Sequence, residues 1–215
     1  MKDSEKTIGL IGFGAVGKLL YRTLLENNFK PEQIFVFDDK TKELNNSKCF
    51  KFNDYKNFNF QDVWFIPTLG YLSGELRLKV LSYLIENNKN IFSFYHPSAF
   101  ISPGAKIGRG VLIYSMVNID TGVEIGDGVI IANSSIIAHD SKIMNGVYFG
   151  ANVCVSGEVT IGELCFIGSS ATIANGLKVG GNCTIGISSC ITKDIPDNCF
   201  AIGNPFMIKE KIKLY

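Results

Sequence analysis

The chain has 215 residues, 46% of them hydrophobic and 19% charged, with 21 Lys and Arg against 20 Asp and Glu. A net charge near +1 with no basic block argues against nucleic acid or an anionic membrane surface as partner, and the hydrophobic content excludes a disordered chain. The length suits two compact domains of about 100 residues each.

Met1 to Lys6 are polar, and the apolar run that follows stops at Gly12. That is too short for a signal peptide or a membrane span, so a cytoplasmic location is expected. Thr7 to Ile11 read as a strand, followed by Gly12-Phe13-Gly14-Ala15-Val16-Gly17 and a helical run from Lys18 to Asn27. A second strand, Ile34 to Phe37, ends in Asp38-Asp39. A third is expected at Val63 to Ile66, then a helix from Glu75 to Asn87 with Leu76, Val80, Leu81 and Leu84 on one face, and Ile91 to Tyr95 closes the unit. Alternating strands and helices imply a short parallel sheet with right-handed crossovers, an α/β Rossmann-like unit. Gly12 and Gly14 allow a tight turn and close approach of a diphosphate to a helix N-terminus, while Asp38 and Asp39 stand where a carboxylate takes ribose hydroxyls. The alternative use of these glycines is the turn and its packing alone. Fewer than about 100 residues make half of a full dinucleotide domain, so a nucleotide-linked substrate fits better than a redox cofactor.

From Ile101 every sixth residue is Ile, Val or Phe without a break to Ile191, and the position four later is small or apolar from Ala105 to Ile195. Helices need a 3.6-residue period, and a sandwich would interrupt its alternation with turns. A period of six with Ile and Val inward predicts short strands joined by tight corners, three hexads to a coil of about 18 residues, and about five coils in all: a parallel β-helix. Cys165 and Cys183 fall in one inward column with Val111, Val129 and Val147, which reads as small core residues rather than disulfide partners. None of the six cysteines makes a metal-type pair, and no metal is expected.

Of the two histidines, His96 precedes Pro97 between the halves and reads as structural. His139 occupies the outward third position of a hexad, next to Asp140. Gly157, 18 residues later, is expected one coil above it, leaving space beside the imidazole and a bare backbone N–H.

The Rossmann-like unit, the junction His96-Pro97-Ser98-Ala99 with Ile101-Ser102, the hexads, His139-Asp140 and the tail Gly203-Asn204-Pro205 together resemble the sialic-acid O-acetyltransferase/nucleotide-amino-sugar N-acetyltransferase family of bacterial surface-glycan pathways. The resemblance covers nearly the whole chain. It implies a Rossmann-like domain over 1–97 that holds a UDP-, GDP- or dTDP-linked sugar, and a left-handed parallel β-helix with a short tail over 98–215 that binds acetyl-CoA. It also implies a homotrimer with active sites between subunits. Carried over residue by residue, His139 is the general base and Asp140 its acidic neighbour. Gly157 offers an N–H to the thioester oxygen. Tyr148, Gly168, Ser169, Gly186, Gly203 and Pro205 attend the cofactor, and Gly12, Gly14, Asp38 and Asp39 the nucleotide. The chain departs from the family where Tyr148 replaces a second His, where Ala15-Val16 replace a Gly-Gly-His-type loop, and where Pro67-Thr68-Leu69-Gly70-Tyr71 replace a Gly-Asn segment.

The resemblance implies direct N-acetylation of a nucleotide-linked amino sugar, with lipopolysaccharide-type glycan biosynthesis as its setting. The alternative is O-acetylation of a sialic or related nonulosonic acid. A catalytically dead scaffold or sugar-nucleotide sensor is disfavoured by an outward His beside an Asp. A metal enzyme of the carbonic-anhydrase kind is disfavoured by a single His in the repeats.

Overall fold

The structure, a computed structural model, describes residues 6–44, 46–58 and 62–210. The outermost residues of both expected domains, 1–5 and 211–215, lie outside this range. The chain forms two compact units, Met1–Ser93 and Phe94–Tyr215.

In the first unit, β1 (Thr7–Ile11), β2 (Ile34–Phe37), β3 (Lys48–Phe50), β4 (Val63–Pro67) and β5 (Asn90–Ile91) make a parallel sheet in the order β3-β2-β1-β4-β5. Helices α1 (Ala15–Glu26) and α2 (Gly74–Glu86) are the crossovers. β1 and β2 are almost wholly apolar and almost wholly buried, as central strands covered on both faces must be. β3 was not legible: Lys48-Cys49-Phe50 has no periodicity, and it is recruited by pairing with β2 and by Phe50 stacking on Phe37, centroids 5.0 Å apart.

Two readings of this unit are corrected. Val80, Leu81 and Leu84 are buried on α2, but Leu76 is 43% exposed and Arg77 is fully buried in its stead. The Arg77 guanidinium donates to the carbonyls of Leu69 (2.7 Å) and Gly70 (3.0 Å), so a charged side chain faces inward because it satisfies backbone acceptors there. The run Ile91 to Tyr95 is not one strand. Asn90–Ile91 completes the α/β sheet, whereas Phe94–Tyr95 pairs with Leu112–Ile113 as the first rung of the second unit.

The second unit is a left-handed parallel β-helix whose walls are sheets of six, five and eight strands. Each two-residue strand pairs with the one 18 residues on: Ile119 with Ile137, Ile125 with Ile143, Ile131 with Phe149. The corners explain the period. Every sixth residue from Gly110 to Ser188 has positive φ, and glycine, Asn, Ser or Asp holds most of these positions because they tolerate left-handed backbone best. The side chains at the hexad and four-later positions fill one continuous core from Val111 to Ala201.

Where an inward residue is polar, it tethers coils. Ser141 Oγ donates to the Ser156 carbonyl (3.0 Å) and accepts from the Val159 N–H (3.2 Å). Cys165 and Cys183 lie buried in the column of Val111, Val129 and Val147, outside any disulfide, and their thiols donate to the carbonyls of Gly180 and Pro196 (3.0 Å each). The hexad frame holds to Ile191, and Ile195 is buried in the core as expected. Beyond Ile191 the register shifts: Ile195 pairs with Val179 and Ala201 with Ile185, both across 16 residues instead of 18. The last coil is therefore two residues short and is closed by the antiparallel hairpin of Cys199–Gly203 and Phe206–Glu210. Among the described residues no helix is long and apolar enough to cross a membrane.

Candidate active site

His139 stands at the corner between the strands Ile136–Ile137 and Lys142–Ile143, and the hexad register turns its side chain outward. Its Nδ1 lies 3.0 Å from Asp140 Oδ2. With the neutral ring donating Nδ1–H to that carboxylate, Nε2 keeps its lone pair free to take a proton. Asp140 can turn its carboxylate toward its own neighbour because its backbone has φ 57°, the left-handed corner conformation. The hydrogen bond to Asp140 raises the imidazole pKa against the opposing effect of desolvation, and the charges of Asp140, Glu158 and Asp120 add to the rise.

The pair sits between two glycines. One coil above, a Cβ on Gly157 would stand 2.5 Å from His139 Nε2 and 2.6 Å from Cε1. One coil below, a Cβ on Gly122 would collide with Asp140 Oδ1. Sequence reasoning found the first glycine and missed the second, although Gly122 precedes Asp140 by one coil just as His139 precedes Gly157. The Gly157 carbonyl accepts from the Gly176 N–H (3.0 Å), while its own N–H meets no acceptor among the described residues.

The other expected cofactor residues are not beside His139 in one chain. Tyr148 pairs with Ile130 and Phe166 in the eight-stranded wall, the wall opposite the His139 corner, and its ring stacks on Phe166 at 5.7 Å. Ser169 is exposed at the corner following that wall. Gly168 and Gly186 are buried; a Cβ on Gly168 would meet the Ile187 amide at 2.6 Å, and one on Gly186 the Ile202 side chain at 2.6 Å. Close coil packing alone requires both to be glycine. Gly203 has φ 107° and Pro205 is exposed two residues on, in the closing hairpin. Of the isoleucines that precede the inward residue on the strands around the site, Ile136 is 43% exposed and Ile130 is buried.

In the first unit, Gly12 has φ 93° and lies under Leu69, whose Cδ2 would be 2.7 Å from a Cβ there. Gly17 is pressed against the Gly12 carbonyl. Gly14, at the N-cap of α1, faces open space. The motif thus divides: Gly12 and Gly17 make the turn, and Gly14 leaves the helix N-terminus accessible to a ligand. Asp38 Oδ2 accepts from the Phe13 N–H (3.0 Å), and Oδ1 from the N–H groups of Lys40 (2.9 Å) and Thr41 (3.1 Å) and the Thr41 hydroxyl. Burial pushes this carboxyl up, but the donors outweigh it and hold it below the usual carboxylate range. Asp39 accepts from the Phe52 N–H (3.0 Å). Both carboxylates therefore organise the loop that would meet a nucleotide.

Residues 104–139 and 140–175 match the family described as bacterial transferase hexapeptide (six repeats). The acetyltransferase domain of PglB from Neisseria gonorrhoeae FA1090, solved in complex with acetyl coenzyme A, is 25% identical; the alignment covers 93% of this chain and 97% of that one, with a TM-score of 0.86. PerB from Caulobacter crescentus, solved with CoA and GDP-perosamine, is 24% identical over 94% and 96% of the two chains, TM-score 0.85. WeeI from Acinetobacter baumannii AYE is 22% identical over 95% and 100%, TM-score 0.85. With these last two the likeness is one of fold, and it extends across both units. No curated protein sequence matches the chain.

Proposed function

We propose, from the match of residues 104–175 to the bacterial transferase hexapeptide family, that the protein N-acetylates a nucleotide-linked amino sugar, with His139 as general base and direct transfer from acetyl-CoA. The chain is an acyltransferase and acetyl-CoA is its acyl donor. The observation that carries the reading is the His139–Asp140 pair seated against Gly157, in a chain that aligns end to end with an acetyl-CoA-bound acetyltransferase domain.

An amine attacking a thioester must lose a proton, and His139 Nε2 is the group disposed to take it; a positioned base contributes about 10²–10⁴-fold. The Gly157 N–H, on the residue that packs against that imidazole, has no acceptor among the described residues, and it suits the oxyanion of the tetrahedral intermediate. His139 has Asp140 and no Ser or Cys as its side-chain partner, which favours direct transfer over an acyl-enzyme. The open Gly14 at the α1 N-terminus and the loop held by Asp38 and Asp39 support a nucleotide diphosphate site in the first unit. An amino sugar is favoured over a sugar hydroxyl because the sugar bound to PerB is GDP-perosamine, the substrate of a perosamine N-acetyltransferase.

Support for a homotrimer comes from the walls of the prism. His139 and Tyr148 lie on opposite sides of one chain, so Tyr148 serves a His139 site only if a neighbouring copy supplies it. The expected setting is cytoplasmic synthesis of a bacterial surface glycan such as lipopolysaccharide. Turnover of UDP-, GDP- and dTDP-linked 4-amino sugars with acetyl-CoA, for wild type and His139→Ala, tests the reading. One amino sugar should be acetylated, and kcat for it should fall about 10²–10⁴-fold in the variant. Unchanged kcat would remove His139 from the chemistry.

A further inference from the structure

We infer that Glu158 and Asp120 are specificity-determining residues that bring the acceptor to His139 as an ammonium and so select an amine over a hydroxyl. The inference rests on the proposed acetylation of an amino sugar and names how that site recognises its acceptor.

Three successive coils each contribute one carboxylate to the His139 corner. The Asp120 N–H donates to the Ile137 carbonyl (3.0 Å), which seats Asp120 immediately below the histidine-bearing turn. Asp140 adjoins the ring itself. The Glu158 N–H donates to the carbonyl of His139 (2.9 Å), which seats Glu158 immediately above. The four-residue turns at this corner, 102–105, 120–123, 138–141, 156–159 and 174–177, contain no Lys or Arg. The three turns that hold Asp120, Asp140 and Glu158 are therefore anionic, with the lysines Lys106, Lys142 and Lys178 placed on the strands that follow the corner, and the charges of all three carboxylates act on the ring.

Among the described residues only Asp140 hydrogen-bonds the His139 ring. Glu158 is exposed and stands at φ 61°, a corner position where most coils place Gly, Asn or Ser. A carboxylate retained there does nothing for the turn. Nor do these groups form a cation site of the inorganic kind, since no group of three or more His, Cys, Asp or Glu among the described residues is placed to hold a metal ion. Carboxylates spread around a proton acceptor, too far apart to share an ion, suit an organic cation that enters between them. The amino group of a sugar is such a cation near neutral pH, and a hydroxyl offers nothing for the field to attract.

The proton count closes. The bound ammonium releases one proton to solvent as it becomes the free amine. Its nitrogen then forms the C–N bond to the thioester carbonyl, and a second proton passes to His139. The C–S bond breaks, and His139 returns that proton to the CoA thiolate, leaving amide, thiol and one proton in solution.

The test compares wild type with Glu158→Gln, Asp120→Asn and the double variant. The probes are the nucleotide-linked 4-amino sugar that wild type turns over and its 4-hydroxy counterpart as competitive ligand. The double variant should lose about tenfold in kcat/KM for the amine, with a flattened salt dependence, while the 4-hydroxy ligand binds as before and the KM for acetyl-CoA is unchanged. Equal losses for both ligands, or no loss for the amine, would overturn the inference and leave the acetyltransferase reading intact. Failure of wild type to acetylate any amino sugar would overturn both.

Discussion

His139 occupies the space into which a side chain on Gly157 would project, with Nε2 2.5 Å and Cε1 2.6 Å from the first atom of that side chain. Gly157 is not held at positive φ, so alanine is conformationally acceptable there, and the atoms it would displace are the tip of an exposed side chain. Gly157→Ala should therefore leave the unfolding free energy from urea titration within about 1 kcal/mol of wild type while turning the imidazole off its proton-accepting geometry. A loss of about 10–100-fold in kcat, with the KM for the sugar nucleotide little changed, is expected in steady-state kinetics. Wild-type kcat would show that the glycine serves the coil and not the base.

With His139 as the proposed base, its environment should set the acidic limb of the pH profile. The Asp140 hydrogen bond and the charges of Asp140, Glu158 and Asp120 favour the imidazolium, so the folded pKa is raised above the ordinary value. A general base must be neutral, hence activity should rise as pH passes upward through that raised pKa. Asp140→Asn removes the largest contribution and should move the limb of kcat/KM to lower pH while reducing the plateau. The stability contribution has the opposite sense: present below the unfolded pKa, it is lost as pH rises through the folded one. A limb that stays in place in Asp140→Asn would refute the pairing.

Asp38 and Asp39 should separate under mutation. Asp38 accepts four hydrogen bonds, one from the glycine loop and three from its own loop, so Asp38→Ala strands the Phe13, Lys40 and Thr41 donors and should cost about 2–4 kcal/mol of stability as well as raising the KM for the sugar nucleotide. Asp39 is exposed with one such bond, and Asp39→Ala should cost about 1 kcal/mol or less. Neither should affect the KM for acetyl-CoA. Denaturant titration beside two-substrate kinetics checks both.

How much of this was legible in the sequence depends on whether a residue's role repeats. The β-helix was legible because one side-chain column and one corner conformation recur every six residues, and the register that exposes His139 and stacks Gly157 on it follows from the same count. Roles set by a single partner were not. Arg77 is inward because two carbonyls await it, and a burial pattern chooses Leu76. Ile195 continues the period in sequence, but the closing hairpin draws the last coil in by two residues. Tyr148 is nine residues from His139, one and a half hexads, which rotates it onto the opposite wall.

Tyr114 offers a test of the interior. Its side chain is 3% exposed, and its hydroxyl is the one buried side-chain polar atom among the described residues without a hydrogen-bond partner. Burial, with Tyr148 close by, drives its phenol pKa far upward, so it stays neutral. A buried hydroxyl that makes no bond destabilises, and Tyr114→Phe removes it without changing the packed shape. The variant should equal or exceed wild type in stability by up to about 1 kcal/mol. A loss greater than that would mean that the hydroxyl has a partner in the assembled protein.

The separation of His139 from Tyr148 makes the proposed composite site testable by complementation. In a ring of three, each site takes its His139 from one subunit and its Tyr148 from the next. His139→Ala and Tyr148→Ala homotrimers would each have every site defective, the first in its base and the second in its acyl-donor contact. Co-expressed in equal amounts, the two chains assemble at random. A site is intact when the subunit giving the histidine carries Tyr148→Ala and the subunit giving the tyrosine carries His139→Ala, which happens at about one interface in four. The mixture should therefore recover about a quarter of wild-type kcat/KM, far above the mean of the two variants. If each chain used its own His139 and Tyr148, no mixed assembly could contain an intact site and the activity would stay at that mean. Recovery thus decides between a site built by two copies and one built by a single chain.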